Sequence, residues 1–557
     1  MVLISIFIFG AAILSRLVFL QIIENDFYSA LAKGQQRFSI NTQGERGKIF
    51  FQNHDLPLAQ DKNSYFVYVS PMEVRQEEKE NIAEILSGEL GLEKDLIQQK
   101  LQKDSLYELI KDKLAEKEVQ DLKSSKLSGI HIDKNKLRDY PYGEFASHIL
   151  GFVNKDGWGQ YGIEEYWDDV LAGKAQTLEG ERGPFGYFFT NRDESSSDGS
   201  DLILTVDYNI QYFAEKLLAQ AEKNLKIEGG TIIVINPQSG EILALADFPN
   251  FDPNKYYQES NLEVFQTGAV QRTFEPGSVF KPITMAGALN EDKITPQTTY
   301  KDPGVIEVGG WPIYNYDKRS YSGNITMTEV LEKSINTGAV FAESQLGHAK
   351  FSDYIKKFGI FEKTLIDIAG EVLSSNKEFK KGYEVSFATA SFGQGVEMTP
   401  IQLARAFSAI ANGGKLVKPY LVKEIREGAK TIMTSFEASD GNVISAVAAS
   451  KLTAMLVSVV ENGFGKAAKV PGYYIAGKTG TAQISFSALG INRQGYSEKT
   501  WQSFIGFAPA FAPEFLILVK LNNPETKTAE YSAVPIFREL AKYIIDYYQI
   551  PPDYDAG

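Results

Sequence analysis

The residues best suited to covalent chemistry lie in the stretch 275–282, where a serine precedes a lysine by three positions. A proline–glycine pair before the serine predicts a turn, and the apolar run that follows the lysine predicts a buried helix. Ser278 is therefore expected at a helix entrance, where free N–H groups and the helix dipole favour a developing negative charge. Lys281, one turn further on, is expected on the same face as the Ser278 hydroxyl. A serine beside a lysine base is an activated nucleophile.

A second serine and lysine with the same spacing, Ser374 and Lys377, lie in a polar stretch that resembles an ordinary loop. An isolated pair of this kind is more simply a helix cap than a reactive site. The interpretation of Ser278 and Lys281 as a reactive pair therefore depends on the other motifs in the chain.

Two further motifs could complete a site. Ser334-Ile335-Asn336 follows a helical run, and residues two apart at a helix end can both face a cleft, although a helix cap is the simpler interpretation. Lys478-Thr479-Gly480-Thr481 lies in a strand-like run, where the two threonines share a face and the glycine permits close approach. Such an edge strand can bind an extended peptide, with the lysine attracting a carboxylate, or it can be an edge strand without a ligand.

Together and in this order, the three motifs resemble those of the penicillin-recognising acyl-serine enzymes. Two more stretches, 391–395 and 503–509, resemble segments around the active site of penicillin-binding proteins. In the first half of the chain, 46–49, 138–143 and 162–164 resemble motifs of the pedestal of class B, monofunctional penicillin-binding proteins. The similarity extends over essentially the whole chain.

The resemblance implies a peptidoglycan D,D-transpeptidase that acts through a serine acyl-enzyme. Ser278 would attack the D-Ala-D-Ala stem peptide, with Lys281 as the proton acceptor. Ser334 and Lys478 would relay the proton to the leaving amine. Asn336 would orient the stem, and Thr479 would bind the terminal carboxylate. Gly480 would allow close approach of the strand. The N–H groups of Ser278 and Thr481 would form the oxyanion hole.

The implied ligands are stem peptides ending in D-Ala-D-Ala and, as covalent inhibitors, β-lactams. A membrane lipid-II polymerase is the implied protein partner, and no metal or organic cofactor is implied. The stretch Thr337-Gly338-Ala339 favours the division or septal type over the elongation type.

Three other functions share some of these features. A D,D-carboxypeptidase or β-lactamase would use the same motifs, but the long first half and an apolar N-terminus favour the synthetic enzyme. A penicillin sensor is disfavoured by the lack of a cytoplasmic domain. A catalytically idle scaffold for a lipid-II polymerase is disfavoured because Ser278, Lys281, Ser334 and Lys478 are all intact.

The composition excludes several other classes of function. The formal net charge of −14 and the lack of a basic stripe argue against a nucleic-acid partner. The chain has no cysteine, its four histidines show no ligand-pair spacing, and no glycine-rich nucleotide signature is present. We therefore expect neither a disulfide framework, nor a metal site, nor a nucleotide cofactor.

The N-terminus is apolar over residues 1–23, interrupted by Arg16. As a helix this stretch spans on the order of 30 Å, the thickness of a bilayer core, and the arginine could extend to the interface. No small-residue cleavage site follows it. The sequence therefore predicts an uncleaved single-pass anchor in the cell (inner or cytoplasmic) membrane, with the catalytic domain outside the cytoplasm.

The patterns along the chain predict an α/β (α+β) protein. A strand-like run at 64–69 and helical spacing over 73–127 come before a polar linker candidate at 192–199. A β-hairpin at 231–246 is followed by helical segments at 325–346, 351–358 and 399–412, then by strand-like runs at 472–483, 500–507 and 514–521, and by a helix at 533–548. This order predicts one antiparallel sheet closed by late strands, with a helical lobe inserted.

We therefore expect a transpeptidase domain like that of the penicillin-binding proteins and serine β-lactamases, preceded by an elongated α+β pedestal. The predicted boundaries are a transmembrane anchor at 1–23, a pedestal of the dimerisation-domain type at 24–200, the transpeptidase domain at 201–548 and a C-terminal tail at 549–557.

Overall fold

The computed structural model describes residues 2–19, 22, 37–53, 55–173, 175–183, 186–189, 198–434 and 441–555. Within it the chain forms two compact units. The first comprises Met1–Gly47, Asp169–Ser200 and Glu427–Lys430, and the second comprises Lys48–Asp168, Asp201–Arg426 and Thr431–Gly557.

Among its described residues the first unit contains the helix Val2–Val18 and an antiparallel sheet of three strands. In sheet order the strands are Arg37–Gln43, Ala175–Gly183 and Gly186–Phe189. Among the helices in the described part of the chain, none is both long enough and apolar enough to cross a membrane. The predicted linker at 192–199 lies, up to residue 197, outside the described residues.

The second unit begins with a mixed α/β region. Its long strand Pro57–Val69 pairs antiparallel with Glu108–Leu114 on one side and Ile130–Asp139 on the other. Three amphipathic helices, Lys79–Leu90, Lys94–Leu101 and Glu116–Ser125, bury their apolar faces in one core that includes Leu86. The prediction of helical structure throughout 73–127 is wrong at Glu108–Leu114, which is a strand. Its buried residues Ile110 and Leu114 are four apart, a spacing that also fits a helix.

A buried ion pair connects two stretches that the sequence had singled out. The Arg138 guanidinium donates to Glu164 at 2.7 Å, and its Nη1 lies 3.3 Å from Asp61 Oδ1. Tyr140 also donates to Glu164. Since the side chains of Arg138 and Glu164 are almost fully buried, removal of either partner should be strongly destabilising.

The remaining described elements of this region are short. They are Ile49–Phe50, Ser147–Leu150, Phe152–Val153, Gly159–Gln160, Gly162–Tyr166, Asp168–Leu171 and Asp201–Leu204.

A five-stranded antiparallel sheet forms the centre of the second half of the chain. Its strands are β1 (Gly229–Ile235), β2 (Ile242–Phe248), β3 (Ala476–Ser485), β4 (Tyr496–Ala508) and β5 (Phe515–Asn522), in the spatial order β2-β1-β5-β4-β3. The predicted hairpin at 231–246 and the three late strands are confirmed. Strand β3 is therefore an edge strand, with one backbone side paired to β4.

Five helices recur below: α1 (Tyr208–Leu225), α2 (Lys281–Asn290), α3 (Met327–Glu332), α4 (Asn336–Leu346) and α5 (Ala533–Tyr548). Helices α1 and α5 cover one face of the sheet with a large apolar core. The Asp207 carboxylate caps α1 by accepting from the N–H groups of Asn209 and Ile210.

The segment between β2 and β3 is mainly helical, as predicted. Besides α2, α3 and α4 it contains the helices Gly268–Gln271, His348–Lys357, Lys377–Lys380, Glu384–Ala390, Pro400–Ala411 and Ala446–Asn462. Its strands are Thr299–Tyr300, Val305–Val308, Trp311–Tyr314, Ile325–Thr326, Val422–Glu427 and Lys430–Met433. The predicted helix at 325–346 is two helices, α3 and α4, because the chain turns at residues 333–335.

Candidate active site

Ser278 lies on a short 3-10 helix, Gly277–Phe280, that continues directly into α2. Gly277 adopts φ +61°, a left-handed conformation that strains residues with a Cβ, and an added Cβ would lie 2.9 Å from that of Ala482 on β3. The Gly277 N–H donates to the Gly393 carbonyl at 3.0 Å, which supports the turn from the segment 391–395. The sequence placed Ser278 at a helix entrance, and the structure agrees.

Lys281 opens α2 and is fully buried. Side chains three positions apart align in a 3-10 turn, which places this lysine on the face of Ser278. Its Nζ donates to the Ser334 carbonyl at 2.5 Å and to Ser334 Oγ at 3.2 Å, and among the described residues it makes no hydrogen bond to Ser278. Burial, reinforced by the Lys478 ammonium, lowers the pKa of the Lys281 amine well below its ordinary value.

Ser334 occupies the break between α3 and α4 with φ +52°. A left-handed conformation is unfavourable for a serine, and such strained residues cluster at functional sites. Here it turns the chain so that both the carbonyl and the hydroxyl of Ser334 face Lys281. Asn336 starts α4, and its Nδ2 donates to the Tyr314 carbonyl at 2.9 Å.

Lys478 on β3 is the second fully buried lysine. Its Nζ donates to Ser334 Oγ at 2.9 Å and to the carbonyl and hydroxyl of Thr479 at 3.0 and 3.3 Å. Burial lowers the pKa of Lys478 to about 7. One hydroxyl, that of Ser334, therefore contacts both buried amines.

The remaining residues of β3 bring the strand against the turn that carries Ser278, the nucleophile turn of the proposed mechanism. An added Cβ at Gly480 would lie 2.6 Å from Ser503 Oγ and 3.0 Å from the Pro276 carbonyl, so only glycine allows this approach. Thr479 and Thr481 line the same cavity as Ser278, as the alternation of a strand predicts. The Thr481 hydroxyl also accepts from the N–H of Ala529 at 3.2 Å.

The cavity has a volume of about 280 Å³. It contacts Ser278, Ser334 and both threonines of β3, and it extends to the loop 315–321 and to residues 527–531. Thr337 anchors the near end of this loop, because its N–H donates to Asn315 Oδ1 at 3.0 Å and its hydroxyl to Asp302 at 2.7 Å.

Sequence reasoning missed Glu275, three residues before Ser278. Its carboxylate is buried and accepts from the Tyr496 hydroxyl at 3.0 Å and from the Gly395 N–H at 3.2 Å. Burial raises the pKa of Glu275 to about 7. Its hydrogen-bond donors, Tyr496 and Gly395, are distant in sequence, and only its place beside the Pro–Gly turn could have drawn attention to it.

The second serine–lysine pair has a different setting. The Ser374 hydroxyl donates to Glu397 at 2.8 Å, while Lys377 is exposed. Neither residue contacts the cavity around Ser278. As predicted, Ser278 lies at a helix entrance, whereas Ser374 lies in a loop.

Comparison with known proteins agrees with this arrangement. The chain matches the family model of the penicillin-binding protein transpeptidase domain over residues 230–542 and that of the penicillin-binding protein dimerisation domain over residues 41–204. It is 34% identical over 528 residues to stage V sporulation protein D of Bacillus subtilis, covering 92% of this chain and 79% of that protein. It is 29% identical to a peptidoglycan D,D-transpeptidase FtsI homolog of Mesostigma viride, with coverage of 98% and 94%.

Solved structures show the same fold. Penicillin-binding protein 2X from Streptococcus thermophilus superimposes with a TM-score of 0.76 at 24% identity, covering 91% of this chain and 80% of that one. Penicillin-binding protein 3 from Mycobacterium tuberculosis, complexed with aztreonam, gives a TM-score of 0.70 at 25% identity, with coverage of 93% and 99%. The chain therefore belongs to the class B penicillin-binding proteins, the serine-type D,D-transpeptidases of peptidoglycan synthesis.

Proposed function

We propose that Ser278 is the nucleophile that forms the acyl-enzyme and that Lys281 takes its proton. Ser278 lines the cavity, and Lys281 is buried one turn further along the same face. Because burial and the Lys478 ammonium lower the pKa of Lys281, its amine is available in the neutral form that a base requires. Hydrogen bonds between catalytic groups are often completed only when the substrate binds, so the present contact of Lys281 with Ser334 is compatible with this role.

Ser334 and Lys478 would carry the proton from Lys281 to the departing amine. The observation that supports this most directly is the contact of Ser334 Oγ with both buried lysines, at 3.2 and 2.9 Å. A hydroxyl placed between two amines can accept from one while it donates to the other. This contact is the single observation that carries the proposal.

Substrate recognition would depend on β3 and α4. Thr479 would bind the terminal carboxylate of the donor stem, and Asn336 would orient its peptide group. The N–H groups of Ser278 and Thr481 would form the oxyanion hole, in which one donor is worth roughly 3–4 kcal/mol. The close approach at Gly480 supports this assignment, because it brings the strand onto the nucleophile turn.

The reaction would proceed in two balanced steps. Ser278 Oγ bonds to the carbonyl carbon between the two D-alanines, the C–N bond breaks, and the terminal D-alanine leaves as an amine with the proton taken from the serine. An acceptor amine then attacks the ester, the new C–N bond forms, the C–O bond to Ser278 Oγ breaks, and the amine proton passes to that oxygen. No redox partner or cofactor enters either step.

The decisive experiment is labelling with a fluorescent penicillin followed by peptide mapping. The adduct should be found on Ser278 and should disappear in Ser278→Ala. Ser374→Ala is the matched control, since it removes the other serine of the same spacing, and it should label like the wild type. An adduct on Ser374, or labelling that survives Ser278→Ala, would refute the assignment.

Transfer must also be distinguished from hydrolysis. Incubating the enzyme with a blocked donor peptide and an acceptor amine should give the cross-linked product in excess over the hydrolysed donor. Exclusive hydrolysis would indicate a D,D-carboxypeptidase or a β-lactam hydrolase, and no turnover with penicillin labelling intact would point to a scaffold.

For the whole chain we propose an anchor at 1–23, a pedestal at 24–200, the transpeptidase domain at 201–548 and a tail at 549–557. The family matches at 41–204 and 230–542 support the two larger divisions. The apolar N-terminal sequence supports insertion in the cell membrane, with the catalytic domain outside the cytoplasm and the pedestal available to a lipid-II polymerase. N-terminal sequencing of native, membrane-extracted protein tests the anchor. A mature chain starting near residue 24 would mean that the segment is a cleaved signal peptide.

A role in division is also part of the proposal. The stretch Thr337-Gly338-Ala339 and the relative named FtsI homolog support a septal enzyme. A fluorescent fusion should concentrate at division sites, whereas uniform placement along the side wall would indicate elongation instead.

A further inference from the structure

Part of the active-site cavity is lined by two cationic side chains, Arg319 and Lys333, that form cation–π contacts with aromatic rings. The Arg319 guanidinium lies 5.7 Å from the centre of the Tyr316 ring and 5.8 Å from that of Phe464. Lys333 Nζ lies 5.5 Å from the centre of the Tyr321 ring. All five residues line the cavity that contains Ser278, and a cation held on a ring face retains its charge for a further partner.

These cations are incompletely neutralised. Asp317 Oδ2 is 3.9 Å from the Arg319 guanidinium, and 74% of that aspartate side chain is exposed. The backbone N–H of Arg319 donates to the Tyr316 carbonyl, but within the part of the chain that the structure describes its guanidinium N–H groups donate no hydrogen bond. Lys333 pairs with Glu329 at 2.8 Å, and both of these side chains are about one-third exposed.

The charge of the whole lining is positive as well. The charged residues among those that line it are three cations, Arg319, Lys333 and Lys527, and two acids, Asp317 and Glu530. The chain as a whole carries a formal charge of −14, so this region differs from the average surface. A cavity with excess positive charge and unused guanidinium donors is suited to a carboxylate.

The position of Arg319 and Lys333 relates them to the second step of the reaction, in which the acceptor amine attacks the acyl-enzyme. Lys333 directly precedes Ser334, the residue assigned above to protonation of the leaving amine, and Ile335 on its other side also lines the cavity. The incoming amine attacks the acyl-enzyme along the path by which the first amine left, because the second step is the reverse of the first with a different amine. The acceptor therefore reaches the ester beside Lys333.

We propose that Arg319 and Lys333 form an acceptor subsite that binds a carboxylate of the incoming strand, remote from the reacting amine. The preferred acceptor is thus an amine whose own molecule carries an additional carboxylate, rather than an uncharged or purely cationic amine. This inference rests on the proposed function. The chemistry is unchanged: the amine nitrogen bonds to the acyl carbon, the ester bond to Ser278 Oγ breaks, and the proton passes to that oxygen.

Two acceptors isolate the extra carboxylate. Both meso-diaminopimelate and D-lysine offer an amine and a carboxylate on a D-configured carbon, and they differ by one carboxylate at the far end. The donor is a blocked depsipeptide ending in D-Ala-D-lactate, and the ratio of transfer to hydrolysis is measured by mass spectrometry. The wild type should transfer to diaminopimelate in preference to D-lysine.

Arg319→Gln should reduce transfer to diaminopimelate about tenfold, the effect of one charge-assisted hydrogen bond, and should change transfer to D-lysine much less. Lys333→Met should act in the same direction, and Arg319→Lys should restore part of the preference. Lys318→Gln is the matched control. Lys318 is the neighbouring cation, 5.4 Å from the centre of the Tyr314 ring, but it does not line the cavity, so its removal should leave the preference intact.

Stoichiometric penicillin labelling of each variant establishes that it is folded. If Arg319→Gln reduces transfer to both acceptors equally, or to neither, while Ser278 is still labelled, the subsite alone is refuted. Absence of labelling at Ser278 in the wild type would overturn the proposed function and the subsite with it.

Discussion

Two buried amines that share one hydroxyl cannot both carry a full charge at low cost. Lys281 and Lys478 are fully buried, and each donates to Ser334 Oγ. Burial lowers the pKa of both amines, and the charge of Lys478 lowers the pKa of Lys281 further. In the proposed mechanism the pair would supply Lys281 as the neutral base and Lys478 as the protonated acid.

This arrangement predicts a bell-shaped pH dependence for penicillin acylation. The rate should rise with pH as Lys281 loses its proton, and it should fall as Lys478 loses its proton at about 7. Stopped-flow acylation between pH 4.5 and 9 measures both limbs. Lys478→Met should remove the alkaline limb, and an alkaline limb that persists in this variant would contradict the assignment.

A second prediction at this scale separates chemistry from recognition. Lys281→Met should depress the limiting acylation rate by far more than Thr479→Val, because it removes the base. Thr479→Val should instead weaken binding of carboxylate-bearing ligands by about 1.5–3 kcal/mol, the value of one hydrogen bond to a charged group. Stopped-flow measurements on both variants give the two constants.

Ligand analogues that lack the carboxylate serve as the control for Thr479→Val, since they should bind the variant and the wild type alike. Equal weakening of both ligand types would mean that Thr479 does not recognise the carboxylate.

At the scale of elements, Glu275 joins the nucleophile turn to the start of β4. The carboxylate accepts from Tyr496, the first residue of β4, and from Gly395 in the segment that also supports Gly277. Burial raises the pKa of Glu275 from its ordinary value of 4.5 to about 7, although both hydrogen bonds act in the opposite direction. The folded protein therefore binds this proton more tightly than the unfolded chain does.

The sign of the resulting stability effect follows from proton linkage. The free energy of unfolding should fall as the pH rises from about 4.5 to about 7 and should then stay level. Relative to Glu275→Gln, which keeps the shape without the charge, the wild type should lose up to about 3 kcal/mol over this range. Denaturant unfolding of both proteins at several pH values measures the difference.

Tyr496→Phe provides the companion variant. Its hydroxyl lowers the pKa of Glu275, so its removal should extend the fall in stability above pH 7. Identical pH profiles for the wild type and Glu275→Gln would show that Glu275 does not titrate in this range.

The elements themselves were largely predictable, but their interruptions were not. The final helix and the strands of the central sheet carry clear apolar patterns, and the structure places them within a few residues of the predicted ranges. The break at Ser334 leaves no such pattern, because the apolar residues of α3 and α4 continue on both sides of it. Glu275 and Tyr496 are 221 positions apart, so local periodicity could not pair them.

The active site has the same limitation, because local sequence patterns do not reveal contacts between distant segments. Its three motifs have fixed short spacings and could be recognised as an ordered set, although each alone also fits a helix cap or an edge strand. Arg319 and Phe464 become neighbours only through the fold, and neither belongs to a spaced motif. Contacts between residues that are far apart in the sequence can be identified only from the structure.

At the scale of the whole second unit, residues 140–168 pack against the region that precedes the active site. The Phe152 ring stacks on Tyr256 with centroids 4.2 Å apart and contacts Phe265 at 4.9 Å. Asn254 accepts from the Tyr140 N–H at 3.0 Å and donates to its carbonyl at 2.9 Å. Apolar stacking and the two hydrogen bonds between the Asn254 side chain and the Tyr140 backbone are expected to couple the unfolding of both regions.

This contact predicts a single cooperative unfolding transition of the second unit, which should separate into two when the contact is removed. Phe152→Ala combined with Asn254→Ala removes both components, and a buried Phe→Ala change alone costs about 3–5 kcal/mol. In calorimetry, the penicillin adduct at Ser278 should then raise the midpoint of only one of the two transitions. Leu86→Ala is the control, because it weakens the distant helical core without touching the contact and should shift one undivided transition to lower temperature. Two transitions in the wild type, or one in the double variant, would show that the contact does not couple the regions.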